Sequence, residues 1–411
     1  MQVIIQALRT GPRRPSRWSS GALVCLLLLE AANTQPTAYQ DIPIGRSWPR
    51  SIGINPITNQ VYLTTTSGIY PPTGFTLTVV NASSSSISRV IPFRGIPGEL
   101  AVDPSTNQVY VINGSSVVVF DGASGDEKGS IRFTEPLYAL AVDPVTSRLY
   151  ATSADTLFET TLNPRVTGMK SFRVGSYAVG LAVNPTTNMI YAANYLSNTV
   201  SVLDATKESL VGTIDLGAQS TNPSELAVNP KTNKVYVTTG RNSVVVIDGL
   251  TDRVTTTLQV GNSPTTNSTY ALAVDPTKNR VYVAATPSPL LTIIDGETEK
   301  VAGTLRFNYS PYELAVDTAN SRLYVTDYHL LTVVEVGDLS SSQHNTALEL
   351  SGAIALAILL AAVLVWRRSR RRLVSDKTGR EIIPTGEKPD VLLSRLRRFP
   401  SYWPSSRRRP R

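Results

Sequence analysis

Cysteine is nearly absent from this 411-residue chain. The one that occurs, Cys25, falls in a segment expected to be removed. A disulfide framework within one mature chain is therefore excluded, as are thiolate metal sites and thiol redox chemistry. A domain of about 300 residues buries enough apolar area to do without cross-links. Histidine is almost as scarce: only His329 and His344 occur, too few for a haem or copper site built on imidazoles. There is no Gly-x-Ser-x-Gly elbow and no glycine-rich phosphate loop. Nucleophilic catalysis finds little support, and no cofactor is implied.

Basic charge is absent where a nucleic-acid surface would need it. The formal net charge is +8, but it sits at the two ends. Residues 1–34 carry four arginines and one glutamate; residues 350–411 carry 15 basic and four acidic side chains. The middle, residues 35–349, holds 20 basic against 26 acidic side chains, a net of −6 with no basic stripe. A phosphate-tracking surface there is not expected.

Long apolar runs are also missing, with two exceptions that predict the topology. Arg9, Arg13, Arg14 and Arg17 precede an apolar run from Gly21 to Leu29, followed by small and polar residues. This is the layout of a signal peptide over residues 1–34, cleaved after Ala32 or Thr34, and the run is too short to span a bilayer. Leu350 to Trp366 carries no charge over seventeen residues. As a helix it would be roughly 26 Å long, enough to cross. Arg367, Arg368, Arg370, Arg371 and Arg372 follow it, marking a cytoplasmic flank. The expected product is a single-pass cell-membrane protein. Residues 38–338 would form its extracytoplasmic domain, 339–349 a stalk, and 367–411 a basic cytoplasmic tail. In the tail, Val391, Leu392, Leu396 and Phe399 alternate with Arg395, Arg397 and Arg398. That pattern suits either a segment lying on anionic lipid or a disordered topogenic tail.

Helical periodicity is lacking throughout the middle region, and what is there instead is a repeat. The unit reads Leu-Ala-Val-Asp/Asn-Pro-x-Thr-Asn-x-Val-Tyr-Val, beginning at Ile52, Leu100, Leu140, Leu181, Leu226, Leu272 and Leu314. Its tyrosines are Tyr62, Tyr110, Tyr150, Tyr191, Tyr236, Tyr282 and Tyr324, spaced by 48, 40, 41, 45, 46 and 42 residues. That period suits one propeller blade. Leu-Ala-Val and Val-Tyr-Val read as strands separated by a turn, where Asp or Asn before Pro caps and Asn59, Asn107, Asn188, Asn233 and Asn279 tolerate positive φ. Third strands such as 243–247 and 291–294 end in Asp-Gly, a hairpin signal, and fourth strands follow, as at 254–261. The seventh copy has no fourth strand of its own. Asp41-Ile42-Pro43-Ile44-Gly45 resembles one and is expected to complete it, closing the ring.

On these residues the chain resembles the YVTN-repeat β-propeller family over about residues 40–338. The resemblance implies an all-β, seven-bladed propeller of four-stranded blades, used for binding outside the cytoplasm. Asn163-Pro164 in place of Asp-Gly, Thr318 in place of Pro, and Ser147 and Ser321 in place of the turn Asn depart from the pattern. These changes are expected to loosen two blades.

The repeated acids Asp103, Asp143, Asp275 and Asp317 stand where Asn55, Asn184 and Asn229 stand in other copies, so they read as turn caps rather than bases. The variable positions are better candidates. The fourth-to-first and second-to-third connections share one face of a propeller. That face is expected to carry Arg50, Glu99, Tyr138, Glu225, Tyr270, Tyr312 and Glu313, with Asn113, Asn194, Tyr195, Asp327, Tyr328 and His329 beside them. The longest such loop is Thr65–Phe75. Acids and aromatics around a funnel suit a carbohydrate, peptide or cation, presented by an envelope component or partner protein. Glu99, Glu225 and Glu313 occupy one blade position and could converge on a hard cation. The expected function is a surface-displayed binding or structural module. The alternative is a hydrolase similar to the propeller lactonases, with a divalent cation held by those three glutamates and nearby Asn side chains. Asn81, Asn113, Asn267 and Asn308 begin glycosylation sequons.

Overall fold

The computed structural model describes residues 39–45, 47–67, 74–163, 168–218, 220–260 and 268–336. Signal segment, stalk, apolar run 350–366 and basic tail lie outside the described residues, as do Asn267 and much of the loop at 68–73. Among the described residues no helix is long and apolar enough to cross a membrane.

The described residues form 28 strands, the second and third of each blade largely buried and the fourth largely exposed. β1 is Tyr39–Pro43. Blade 1 is β2 (Ser47–Asn55), β3 (Gln60–Ser67), β4 (Gly74–Asn81) and β5 (Ser86–Pro92). Blade 2 is β6 (Pro97–Asp103), β7 (Gln108–Asn113), β8 (Ser116–Asp121) and β9 (Glu127–Arg132). Blade 3 is β10 (Ala139–Asp143), β11 (Arg148–Thr152), β12 (Thr156–Thr161) and β13 (Lys170–Arg173). Blade 4 is β14 (Ala178–Asn184), β15 (Met189–Asn194), β16 (Thr199–Asp204) and β17 (Ser209–Asp215). Blade 5 is β18 (Leu226–Asn229), β19 (Lys234–Thr239), β20 (Ser243–Asp248) and β21 (Arg253–Gln259). Blade 6 is β22 (Ser268–Asp275), β23 (Arg280–Thr286), β24 (Leu290–Asp295) and β25 (Lys300–Arg306). Blade 7 has three strands from its own repeat, β26 (Leu314–Asp317), β27 (Arg322–Thr326) and β28 (Leu330–Glu335).

Each blade is an antiparallel meander of four strands, and β1 supplies the fourth to blade 7 in the order β1-β28-β27-β26. Its register runs from Tyr39 opposite Val334 to Pro43 opposite Leu330. Asp41 accepts a hydrogen bond from Thr332 Oγ1 at 2.6 Å. The innermost strands touch in sequence order and β26 returns to β2, so the described blades form a closed seven-membered ring.

The core is seven seams rather than one centre. Each cluster of buried apolar side chains joins two neighbouring blades; the closing seam sets Ile42, Ile44, Tyr324, Leu331 and Val333 against Val61, Leu63 and Val80. The seven repeated tyrosines are fully buried. They reach sideways: Tyr110 Oη lies 3.2 Å from Leu162 O of the next blade and 2.7 Å from its own Gln108 Oε1, either of which can accept its proton. Burial pushes the Tyr62 and Tyr236 hydroxyls up to about 12.

The turn caps carry a second lateral link. Asn55, Asp103, Asp143, Asn184, Asn229, Asp275 and Asp317 are all buried. Their Oδ1 atoms accept the backbone N–H two residues on, and Asn55, Asp143, Asp275 and Asp317 also accept the one three residues on, as Asp275 does from Thr277 and Lys278. The asparagines do more: Asn55 Nδ2 donates to Asn107 Oδ1, Asn184 to Asn233 and Asn229 to Asn279, at 2.7, 2.7 and 2.8 Å. Asp and Asn are thus equivalent within a blade but not between blades. Ser147 and Ser321 adopt φ of 53° and 55°, the same conformation as the turn asparagines, so the backbone there follows the repeat.

The Asp-Gly hairpins also differ in cause from the expectation. Gly122, Gly249 and Gly296 do not have positive φ; that role falls to Gly125, Asp252 and Glu299 further along. Glycine is needed because the turn Asn of its own blade comes close, joined at Gly122 and Gly249 by the tyrosine of the preceding blade. A Cβ on Gly122 would stand 2.4 Å from Tyr62 Oη and 2.8 Å from Asn107 O.

Candidate functional site

Because the apolar packing lies between blades, the ring axis is left free of it. An axial cavity of about 530 Å³ is lined by residues from all seven blades. Trp48, Arg50, Glu99, Tyr138, Val179, Glu225, Leu272, Tyr312 and Glu313 are among them.

Bulges in the inner strands aim several of these residues. β2 pairs Pro49 and Ser51 with consecutive partners, leaving Arg50 as the extra residue. The same irregularity falls between Pro97 and Leu100 in β6, Ala178 and Gly180 in β14, and Thr269 and Ala271 in β22. Glu99, Val179 and Tyr270 are therefore bulge residues too. A bulge releases a residue from the ladder and turns its side chain, which is why bulges gather at sites.

The position before the Leu-Ala-Val strand has a structural use, and two glutamates lack it. Ser51 Oγ accepts the Leu100 N–H of the next blade at 3.1 Å, and Glu99 Oε2 accepts the Leu140 N–H at 2.8 Å. Glu225 and Glu313 fill the same slot, but among the described residues their carboxyls have neither a hydrogen bond nor an ion pair. Only their backbone is held: Thr238 Oγ1 accepts the Glu225 N–H at 2.9 Å and Thr326 Oγ1 the Glu313 N–H at 3.0 Å.

Burial drives all three carboxyls upward. Glu225 is raised to about 7 by desolvation. Glu313 lies well above the usual carboxylate range through burial and the charges of Glu225 and Glu99. Glu99 is raised by burial and by Glu225, partly offset by the Leu140 N–H. The side chains keep some contact with solvent through the cavity. Among the described residues, no three acidic, histidine or cysteine side chains group closely enough to hold a metal ion. The glutamates feel one another's charge without converging on a point.

The rim is aromatic. Trp48 packs on Tyr328 at 4.8 Å between ring centres, and Tyr328 on Tyr312 at 5.9 Å. A second group sets Tyr138 against Tyr177 at 4.9 Å and Tyr177 against Tyr195 at 5.9 Å. Trp48, Tyr138, Tyr177 and Tyr328 are 49%, 39%, 38% and 38% exposed, and Ile96 and Leu196 add exposed apolar surface on the same face. Exposed apolar groups gathered on one face mark an interaction surface.

The expected site residues divide. Arg50, Glu99, Tyr138, Glu225, Tyr312 and Glu313 line the cavity together. Tyr270 lies in β22, its side chain outside the described residues. Asn194 is not at the opening: it is fully buried and donates to Thr199 Oγ1 at 2.9 Å and Ser201 Oγ at 3.0 Å inside blade 4. Asp327 caps the β27–β28 turn, accepting the His329 and Leu330 N–H groups at 2.6 Å each. Trp48 and Tyr177 were not among the residues expected from the sequence. Each lies three residues before a slot residue, Trp48 before Ser51 and Tyr177 before Gly180, an offset that could have been read.

No family model matches the chain. It resembles YncE. The Salmonella typhimurium LT2 protein is 24% identical over 229 residues, covering 51% of this chain and 63% of that protein. YncE of Escherichia coli K12 is 25% identical over 194 residues, or 44% of this chain and 53% of the relative. The matched stretches thus span less than two-thirds of these relatives. Among solved structures, the β-propeller domain of Myceliophteria thermophila Cps50 (Swd1) superposes with a TM-score of 0.60 over 73% of this chain and 100% of that one, at 11% identity. That likeness shows the fold alone. The chain is a seven-bladed propeller with weak homology to YncE over about half its length.

Proposed function

We propose that this propeller is a binding module displayed outside the cytoplasm, held to the membrane through residues 350–366, with its ligand seated over the axial cavity. The observation that carries this reading is the cavity itself. It draws lining from every blade, is flanked by two exposed aromatic groups, and contains the carboxyls of Glu225 and Glu313, which have no hydrogen bond or ion pair among the described residues. Packing demands none of these features, because the seams hold the ring without them. YncE-like homology supports a binding or structural module, and the export layout of the sequence supports a role at the cell surface.

The test is site-specific photo-crosslinking in cells that make the full chain. A photoreactive residue at Tyr138 or Tyr328 samples the cavity face; one at Leu250, 85% exposed in the β20–β21 hairpin, samples the opposite face. Adducts are expected from the first two positions only. Equal adducts from all three, or from Leu250 alone, would overturn the reading.

A further inference from the structure

The axial cavity holds three carboxyls, two of which have no partner among the described residues. Removing carboxylates from bulk water is costly unless a positive group or a proton compensates them. Glu99 has one N–H partner; Glu225 and Glu313 have none among the described residues, although both open into the cavity. The other charged or titratable lining groups are Arg50, Tyr138 and Tyr312. Arg50 forms no ion pair with the three acids among the described residues, and it is exposed.

The spacing of the acids selects the kind of cation. They do not group closely enough for a metal ion, yet each is near enough to act on its neighbours. Separate carboxylates around a channel suit separate positive groups joined by a flexible apolar spacer. The volume lies within the range of small-molecule sites, about 300–1,000 Å³. Trp48 and Tyr138 are among the lining residues, and ammonium groups are attracted to aromatic rings of this kind.

We propose, resting on the binding-module reading above, that the axial cavity takes a linear aliphatic polyamine whose ammonium groups meet Glu99, Glu225 and Glu313 beneath the aromatic rim. Binding strengthens as the acids ionise. With Glu225 titrating near 7, its ionised fraction rises roughly tenfold from pH 6 to pH 8, so affinity rises by up to the same factor.

The test is calorimetric titration of the purified full chain with spermidine at constant ionic strength. Expected are saturable binding, roughly tenfold tighter at pH 8 than at pH 6, and about tenfold weakening in Glu225→Gln and in Glu313→Gln. The unmutated chain supplies an independent readout, a spermidine-dependent rise in melting temperature that is larger at pH 8. No heat with spermidine at either pH would overturn the proposal. So would magnesium binding with equal affinity and equal sensitivity to both substitutions, which would indicate a metal site. Preference for a short lysine peptide over spermidine would also overturn it, assigning the ammonium groups to a protein partner. If Tyr138 and Tyr328 still give face-specific crosslinks while spermidine fails, only the ligand class falls. If both fail, the binding-module reading falls as well.

Discussion

Removing one side chain from the closing strand tests whether the ring is held shut by its amino-terminal end. Ile42 and Ile44 are 4% and 9% exposed and lie in the seam between blades 7 and 1. Fully burying an isoleucine side chain is worth about 1.5–3 kcal/mol, so the pair contributes roughly 3–6 kcal/mol. That is comparable to the whole stability of an ordinary domain, about 5–15 kcal/mol. Ile42→Ala should cost about 2–4 kcal/mol, transfer and cavity terms together. Ile87 provides the control, because it occupies β5, the fourth strand of blade 1, but is 39% exposed. Ile87→Ala should cost well under about 1 kcal/mol. Urea unfolding of the full chain and both variants measures the difference. Deleting residues 39–45 should be worse than either substitution, since β28 then becomes an open edge, and a peptide of that sequence added in trans should restore part of the loss. Equal midpoints for Ile42→Ala and Ile87→Ala would refute the reasoning, because β1 would then contribute nothing to the seam.

Three further outcomes follow from particular contacts. Gly122→Ala should destabilise by about 1–3 kcal/mol, the range for overpacking, because its Cβ meets Tyr62 and Asn107; Gly303→Ala, with nothing within 4 Å, should be neutral in the same thermal melt. The raised carboxyls make stability fall as pH rises from about 4.5 through about 7, because the folded chain holds protons there that the unfolded chain has released. Glu225→Gln should flatten that slope, by on the order of 3 kcal/mol across the window for a rise from 4.5 to about 7, and denaturation midpoints against pH would show it. For topology, Cys25→Ser with Leu250→Cys should react with a membrane-impermeant maleimide on intact cells, whereas Cys25→Ser with Ser406→Cys should react only after permeabilisation; labelling of the latter on intact cells would reverse the assigned orientation.

The ring was legible because each of its blades repeats the same local demands. Leu-Ala-Val, the capped turn, and Val-Tyr-Val each point to one conformation, and the missing fourth strand of the last copy could be matched to Asp41–Gly45 by its own sequence. The lateral contacts were not legible, since they join residues about 50 apart whose meeting depends on blade-to-blade geometry. Asn184 and Asp275 look alike as caps, but only the asparagine can donate sideways, to Asn233. Gly122 looked like a turn residue and is instead a clearance for the tyrosine of the preceding blade. At the site, the slot of Glu99, Glu225 and Glu313 was visible from alignment of the copies. The bulges that expose Arg50 and Glu99 were not, because a register shift depends on both strands of the pair. Asn194 was misjudged for a related reason: the last residue of a second strand can face its loop or its own blade, and here Thr199 and Ser201 hold it inward.

Repetition also explains why the axial acids stand out. In two of the seven copies the slot links blades, where Ser51 and Glu99 serve the next blade by accepting an N–H. Ala139, Gly180 and Ala271 leave the same slot small, and Gly180 must be small because a Cβ there would stand 1.8 Å from Ser224 O. Glu225 and Glu313 are not small, and among the described residues their carboxyls have no partner. Their burial raises the free energy of the ionised protein, so replacing either by alanine should cost the ring little and stabilise it above pH 7. A chain selected for stability alone would have no reason to keep them. In the binding-module reading proposed above, the demand they meet comes from outside the ring, from the ligand seated over the cavity they line.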